Sequence, residues 1–309
     1  MVKLFWASIV LLLAACQTVP PVAPPPVQPE PPVVVVPPLT EPPIVMPKLP
    51  PRLPRIGLAL GGGAARGFAH IGVIQVLEEN GIRPDLVAGT SAGSLVAAMY
   101  ASGKSGPEMA NLALAMDEGA ITDWAFPTRG LIRGEALARY VREQTGGKNI
   151  EQMRLPLGIV ATDLDSGAAI LFQRGDTGVA VRASSAVPAV FQPVRIGARE
   201  YVDGGLVSPV PVRFARQMGA ELVIAVDISS PPDGAVTSDV MKMLLQTFAI
   251  MGRSISSFEL READIVLRPS LVGVGSADFT ARKRAIQAGR DAATVALQAL
   301  RARIAALTR

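Results

Sequence analysis

The stretch "DLVAGTSAGSLVAAMYASG", residues 85–103, decides how the chain is read. An apolar run, "DLVAGT", gives way to Ser91 between Gly89 and Gly93, and a small-residue run, "AGSLVAAMYASG", follows. Four to eight apolar residues bounded by glycine suit a strand, and the longer run after them suits a helix. Gly89-Thr90-Ser91-Ala92-Gly93 thereby fits G-x-S-x-G in the strand–turn–helix setting of a nucleophile elbow. Such a turn is sharp, so the positions two before and two after the serine have no room for side chains. The hydroxyl then projects at a helix N-terminus, where the dipole favours developing negative charge.

Working outward, "RIGLAL" (55–60) is a second strand candidate, and it runs straight into Gly61-Gly62-Gly63-Ala64-Ala65-Arg66-Gly67. A dinucleotide fingerprint would need glycine where Arg66 stands, and a P-loop would need Lys-Ser/Thr where Phe68-Ala69 stand. Both patterns fail. A row of backbone amides suited to an oxyanion remains, with Arg66 as added positive potential. "FAHIGVIQVLEEN" then reads as a helix stopped at Gly81.

The chain has one histidine, His70, in the first turn of that helix. A histidine there reads as a structural hydrogen-bonder, so the base for Ser91 is a carboxylate or nothing. The candidates are Asp163, Asp165, Asp203 and Asp227. Asp203 stands out in "EYVDGGLVSPVPV", because Gly204 and Gly205 let the backbone turn at once and keep side chains away from the carboxylate. Asp-Gly is also an ordinary turn dipeptide.

Further strands are expected at "LPLGIVATDL" (155–164), "AILFQ" (169–173), 198–205, "ELVIAVDIS" (221–229) and "DIVLRP". Helices are expected over 238–260 and 280–307, with 104–149 helical and irregular. The unbroken apolar run of 221–229 suits a strand buried on both faces of a parallel sheet. Alternating strands and helices imply a three-layer α/β/α domain with a mainly parallel central sheet. The last helix carries Ala293, Leu297, Leu300, Ile304 and Leu307 on one face, with Arg290, Arg301, Arg303 and Arg309 around it. Packing on the sheet, with a solvated basic face, is the expected arrangement; lying on a membrane is the alternative.

The first 54 residues differ from the rest. "MVKLFWASIVLLLAA" (1–15) has Lys3 and an apolar run of signal-peptide length, too short to span a bilayer. It ends at Cys16, the sole cysteine, and "L-A-A-C" resembles the lipobox of bacterial lipoproteins. That likeness implies a lipidated Cys16, leaving no thiol for disulfide or metal chemistry. Residues 17–54 hold 16 of the 27 prolines, so the block can build neither helix nor central strand. It is expected to be an extended tether, with residues 55–309 as the folded domain. Without Lys3 the 30 basic residues become 29 against 26 acidic, a net +3. That excess does not indicate nucleic acid, and it favours an anionic membrane surface.

Taken together, "GGGAARG", "GTSAG" and "VDGG", in that order, resemble the patatin-like phospholipases. "ATDLDSGAAILF" (161–172) and "RASSAVPAVFQPV" (182–194) are similar to segments of its bacterial members. The resemblance covers most of residues 55–270. It implies a serine lipid acyl hydrolase without metal or cofactor, with Ser91 as nucleophile, Asp203 as base, membrane lipids as substrate and Gly61–Gly67 as oxyanion loop. The loop glycines at 61, 63 and 67 are spaced with an extra alanine relative to the shortest family form. A silent lipid-binding or scaffolding lipoprotein, and an acyltransferase using the same pair, are the alternatives. Gln17 after the cysteine points to an outer-membrane lipoprotein facing the periplasm. Trp124 and Phe126, in "AITDWAFPTRGLIRG" (120–134), are candidates for lipid contact or for core packing.

Overall fold

The computed structural model describes residues 52–117, 119, 123–124, 129–229, 239–275 and 277–309. The signal-peptide, Cys16 and tether expectations lie outside these residues, apart from the last three tether positions.

Five short apolar runs form the parallel part of the sheet. They are β1 (Ile56–Leu60), β2 (Leu86–Thr90), β4 (Leu157–Asp163), β9 (Leu222–Val226) and β10 (Ile265–Leu267). Their order is β10-β9-β1-β2-β4, every neighbouring pair parallel. The period-2 alternation of a strand explains the two helical layers. Leu58, Leu60, Val87, Ile224 and Val226 enter one core with helices α1 (Phe68–Glu79), α2 (Ala92–Ala101) and α8 (Arg282–Leu307). Ala59, Ala88, Val223 and Ala225 enter the other, under α6 (Val212–Gln217). The expected three-layer α/β/α architecture is what forms, with all of β9 buried.

The far side of the sheet is antiparallel. β5 (Ala169–Phe172) runs along one edge of β4, pairing with residues 159–162. The other edge is shared. β2 pairs with it up to Thr90↔Val160, and β8 (Arg199–Asp203) takes over at Ala161↔Asp203. β7 (Val194–Ile196) then flanks β8. A separate ribbon of β3 (Gly130–Ile132) with β6 (Ala189–Phe191), and helices α3 (Gly106–Ala115), α4 (Glu135–Gln144), α5 (Thr177–Ser184) and α7 (Val240–Glu259), complete the described elements. The irregular region 104–149 contains α3, β3 and α4, whereas β6, β7, α5 and α6 have no counterpart in the sequence reading.

The terminal helix packs inside the fold, against α1 and β10 and not on a face of the whole sheet. Its arginines pair with Glu79, Asn80 and Asp264. Two glycines set the approach. A Cβ on Gly72 would lie 1.9 Å from Ile286 O, and one on Gly289 would lie 1.9 Å from Ala69 O. The helices therefore meet backbone to backbone. At the opposite end of β1 from the glycine loop, Arg52 and Arg309 exchange two backbone hydrogen bonds of 2.8 and 3.1 Å, and Arg52 pairs with Glu221.

Adding one methyl at the α1–α8 crossing forces the helices apart. Gly72→Ala or Gly289→Ala is expected to cost about 3 kcal/mol and lower Tm by roughly 5–10 °C, as read by thermal denaturation.

Candidate active site

Ser91 sits at the tip of β2 with φ 53° and ψ −125°. A non-glycine residue in that region is strained, and the surroundings hold it there. A Cβ on Gly89 would meet Gly93 O at 2.5 Å, and one on Gly93 would meet Leu60 O at 2.1 Å. Only glycine at both positions lets β2 turn at once into α2 while resting on the end of β1. The Ser91 amide donates to Ser184 Oγ at 2.8 Å, and that hydroxyl donates to Val160 O at 2.6 Å.

Because β8 continues the edge of β4 where β2 ends, Asp203 arrives beside the elbow. Ser91 Oγ donates to Asp203 Oδ2 at 2.7 Å, and the Gly205 amide donates to Oδ1 at 2.7 Å. The aspartate's backbone is fixed on both sides. Its amide donates to Ala186 O, and its carbonyl accepts from Thr162 Oγ1. The glycines after it have separate causes. A Cβ on Gly204 would strike Val160 O at 2.2 Å, and one on Gly205 would crowd Asp203 Oδ1 at 2.9 Å. Both Ser91 and Asp203 are buried, and burial pushes the carboxyl up to about 6 against the lowering by its two hydrogen bonds.

The other polar candidates are occupied elsewhere. Asp163 pairs with Arg199 at 2.5 Å and Asp227 with Arg268 at 3.5 Å; Asp165 is exposed in the turn after β4. His70 is fully buried with Nε2 2.8 Å from Gly61 O, and burial lowers its pKa to about 4. A neutral ring facing a carbonyl donates from Nε2, so His70 props the glycine loop.

The loop itself differs from the expected row of free amides. Gly61 N donates to Val226 O at 3.1 Å and Gly62 N to Pro209 O at 2.9 Å, so neither is available to an oxyanion. Gly67 lies in a 3-10 turn over Ala64–Gly67, and its missing side chain makes room for Ala92, whose Cβ would be 2.8 Å away. Arg66 has its opposite charge in Asp227, and burial lowers its pKa. Among the described residues, the amides of Gly63 and Ala64 keep no acceptor. Gly62 borders the serine, because a Cβ there would lie 3.1 Å from Ser91 Cβ. An apolar cavity of about 70 Å³ opens beside the loop, lined by residues including Ala64, Gly67, Phe68, Ala92, Leu95 and Met99. Trp124 is 72% exposed, which rules out its packing in the core, and Phe126 lies outside the described residues. Among the described residues, no group of three or more His, Cys, Asp or Glu side chains could hold a metal.

Residues 58–216 match the family model for patatin-like phospholipases, and the chain belongs to that family. Over 207 residues it is 37% identical to an uncharacterised NTE family protein of Mycobacterium tuberculosis, covering 66% of this chain and 57% of that protein. Over 183 residues it is 35% identical to patatin-like phospholipase domain-containing protein 6 of Mus musculus, covering 57% of this chain and 14% of that protein. The alignment thus spans little more than half of the mycobacterial relative. Among solved structures, VipD from Legionella pneumophila is similar with a TM-score of 0.45 and 14% identity, over 80% of this chain and 67% of that one.

Sequence reasoning gave no role to Ser184, although it lies in the segment "RASSAVPAVFQPV" (182–194) that carries part of the family resemblance. Its replacement by alanine leaves the Ser91 amide buried without an acceptor. Ser184→Ala is expected to lower kcat roughly ten- to a hundredfold with little change in KM. Ser184→Thr, which keeps the hydroxyl, should recover most of the loss in the same ester assay.

Proposed function

We propose that this protein hydrolyses carboxylic esters of lipids, with Ser91 as nucleophile and Asp203 as its base. The observation that carries the reading is the 2.7 Å hydrogen bond from Ser91 Oγ to Asp203 Oδ2 on a strained elbow. In the first step Ser91 Oγ attacks the ester carbonyl and its proton passes to Asp203. The tetrahedral oxyanion takes hydrogen bonds from Gly63 and Ala64 and lies near the positive end of α2. Collapse expels the alcohol, which receives the proton from Asp203, and leaves an acyl-serine. Water then attacks, Asp203 accepts its proton, and the acid departs as that proton returns to Ser91. The apolar cavity beside Ala64 and Ala92 is where the acyl chain would lie. Family membership supports a lipid ester as the substrate.

A carboxylate with a pKa near 6 is a far better base at neutral pH than one near the usual 3.9. It must be ionised to act, so kcat/KM rises with pH through about 6 and falls below it. A profile flat from pH 4.5 to 7.5 would overturn Asp203 as base. Ser91→Ala and Asp203→Asn are each expected to lose at least about a thousandfold in turnover of a p-nitrophenyl acyl ester while remaining folded. A fluorophosphonate probe should label the wild type and leave Ser91→Ala unlabelled. A scaffolding protein would show no label, whereas an acyltransferase would label and then pass its acyl group to an added alcohol faster than to water.

We further propose that Cys16 carries the lipid and that the domain is held at the outer membrane by the proline-rich tether. Incorporation of labelled palmitate, lost in Cys16→Ser, tests this.

A further inference from the structure

Helix α7 presents one side to the fold and the other to solvent. One side packs on the fold through Ile255, Ser256 and Glu259. The Glu259 carboxylate accepts from Ser208 Oγ and from Val210 N, and Gly252 lies against Pro209 and Gly205. That is the segment directly after Asp203, so α7 is fixed at the same end of the sheet as the elbow.

The outer side is the anomaly. At 100° per residue, Val240, Met243, Leu244, Ile250, Met251 and Phe258 fall in one sector about 120° wide and about 27 Å long. Val240 is 68% exposed, Met243 and Ile250 52%, Met251 51% and Phe258 61%. An isolated exposed leucine is ordinary, but six exposed apolar side chains in one sector, interrupted by Thr247 and Ser254, mark an interaction surface.

Its charge identifies the occupant. From Val240 to Phe258 the sequence has Lys242 and Arg253 and not one Asp or Glu. Arg261 adds a guanidinium 5.0 Å from the Phe258 ring centroid. Beside the stripe, Arg253, Ser256 and Ser257 border a polar cavity of about 320 Å³ shared with Arg268 and Asp227. The Ser256 hydroxyl is buried there without a hydrogen-bond partner. Lys242 pairs with the exposed N-cap Asp239 at 3.6 Å, and from Val240 to Phe258 the face itself carries no carboxylate. A second copy seated by a twofold axis would therefore bring Arg253 no opposite charge from the stripe. An anionic lipid surface answers both features, taking the apolar stripe into its acyl boundary and the cations at its headgroups. Among the described residues no helix is long and apolar enough to cross a membrane, so α7 would lie along it.

We propose that α7 is an interfacial helix that docks the domain on an anionic lipid surface, with the Ser91 end of the sheet facing the lipid. The docking stands without the hydrolase reading; delivery of substrate rests on it.

The test uses the full chain with Cys16→Ser, so that an introduced cysteine is its only thiol. An environment-sensitive dye is placed at Met251→Cys on the stripe or at Val295→Cys, which is 85% exposed on α8. With vesicles of phosphatidylethanolamine and phosphatidylglycerol, emission from position 251 should shift to the blue while position 295 does not. The shift should shrink with phosphatidylcholine alone. A triple variant, Ile250→Ser with Met251→Ser and Phe258→Ser, should turn over vesicle lipid at least about tenfold more slowly and a soluble short-chain ester at the wild-type rate. No shift at 251, equal shifts at both positions, or unchanged vesicle turnover in an active enzyme overturns the proposal. A dye at 251 already blue-shifted without vesicles, in a protein of twice the monomer mass, overturns it in favour of a second copy. If the soluble ester is inert in every protein while position 251 still enters the vesicle, the hydrolase reading falls and the docking remains.

Discussion

One edge of β4 carries two strands in succession, and the site lies at the join between them. Thr90 ends the parallel partner at Val160, and Asp203 begins the antiparallel partner at Ala161. The carboxylate therefore reaches the serine through sheet register, and not through a flexible loop. The even-numbered residues flanking β4 bond to that edge at both ends, Val87 N to Pro156 O before it and Leu164 N to Glu200 O after it. A shift of β8 by one residue would turn Asp203 to the other face of the sheet. The buried, hydrogen-bonded Asp203 backbone holds the register against such a slip.

Close contact between main chains is the second constraint, and it explains glycines that otherwise look interchangeable. Gly89, Gly93 and Gly204 each lie where a methyl group would collide with a carbonyl oxygen of a neighbouring element. The segment Ser208–Val210 gathers several of these elements. Its carbonyls accept from Thr90 Oγ1 and from the Gly62 amide, while its own polar groups bond to Glu259 of α7. The elbow, the glycine loop and α7 thus share one short piece of chain. Burial also raises the Glu259 carboxyl to about 7, so the contact between α7 and this segment involves a group that takes up a proton near neutrality.

Much of this architecture was legible from residues alone, for physical reasons. β1, β2 and β9 are short apolar runs ended by Gly61, Ser91 and Asp227, and the turns after β1 and β2 leave unmistakable glycine patterns. The pairing of Ser91 with Asp203 was readable only by likeness to a family, because nothing local to "VDGG" says what it faces. Other features depend on partners far away in the chain. The amides of Gly61 and Gly62 look free in sequence, yet carbonyls of Val226 and Pro209 take them. β7 has three residues and sits at a sheet edge, and α5 carries Gly178 where its backbone passes within reach of Ala138 O. Neither offers the periodicity by which an element is seen. The outer side of α7 was legible as apolar but not as exposed.

Arg52 and Arg309 bring the chain entering β1 and the chain leaving α8 together, one five-residue strand away from the glycine loop. The polypeptide path is therefore nearly a closed ring, with its seam on the side remote from Ser91. Such a ring can be joined at the seam and cut at a different surface turn without disturbing the register of β2 and β8. Circularly permuted versions and internal fusions are accordingly compatible with an intact site.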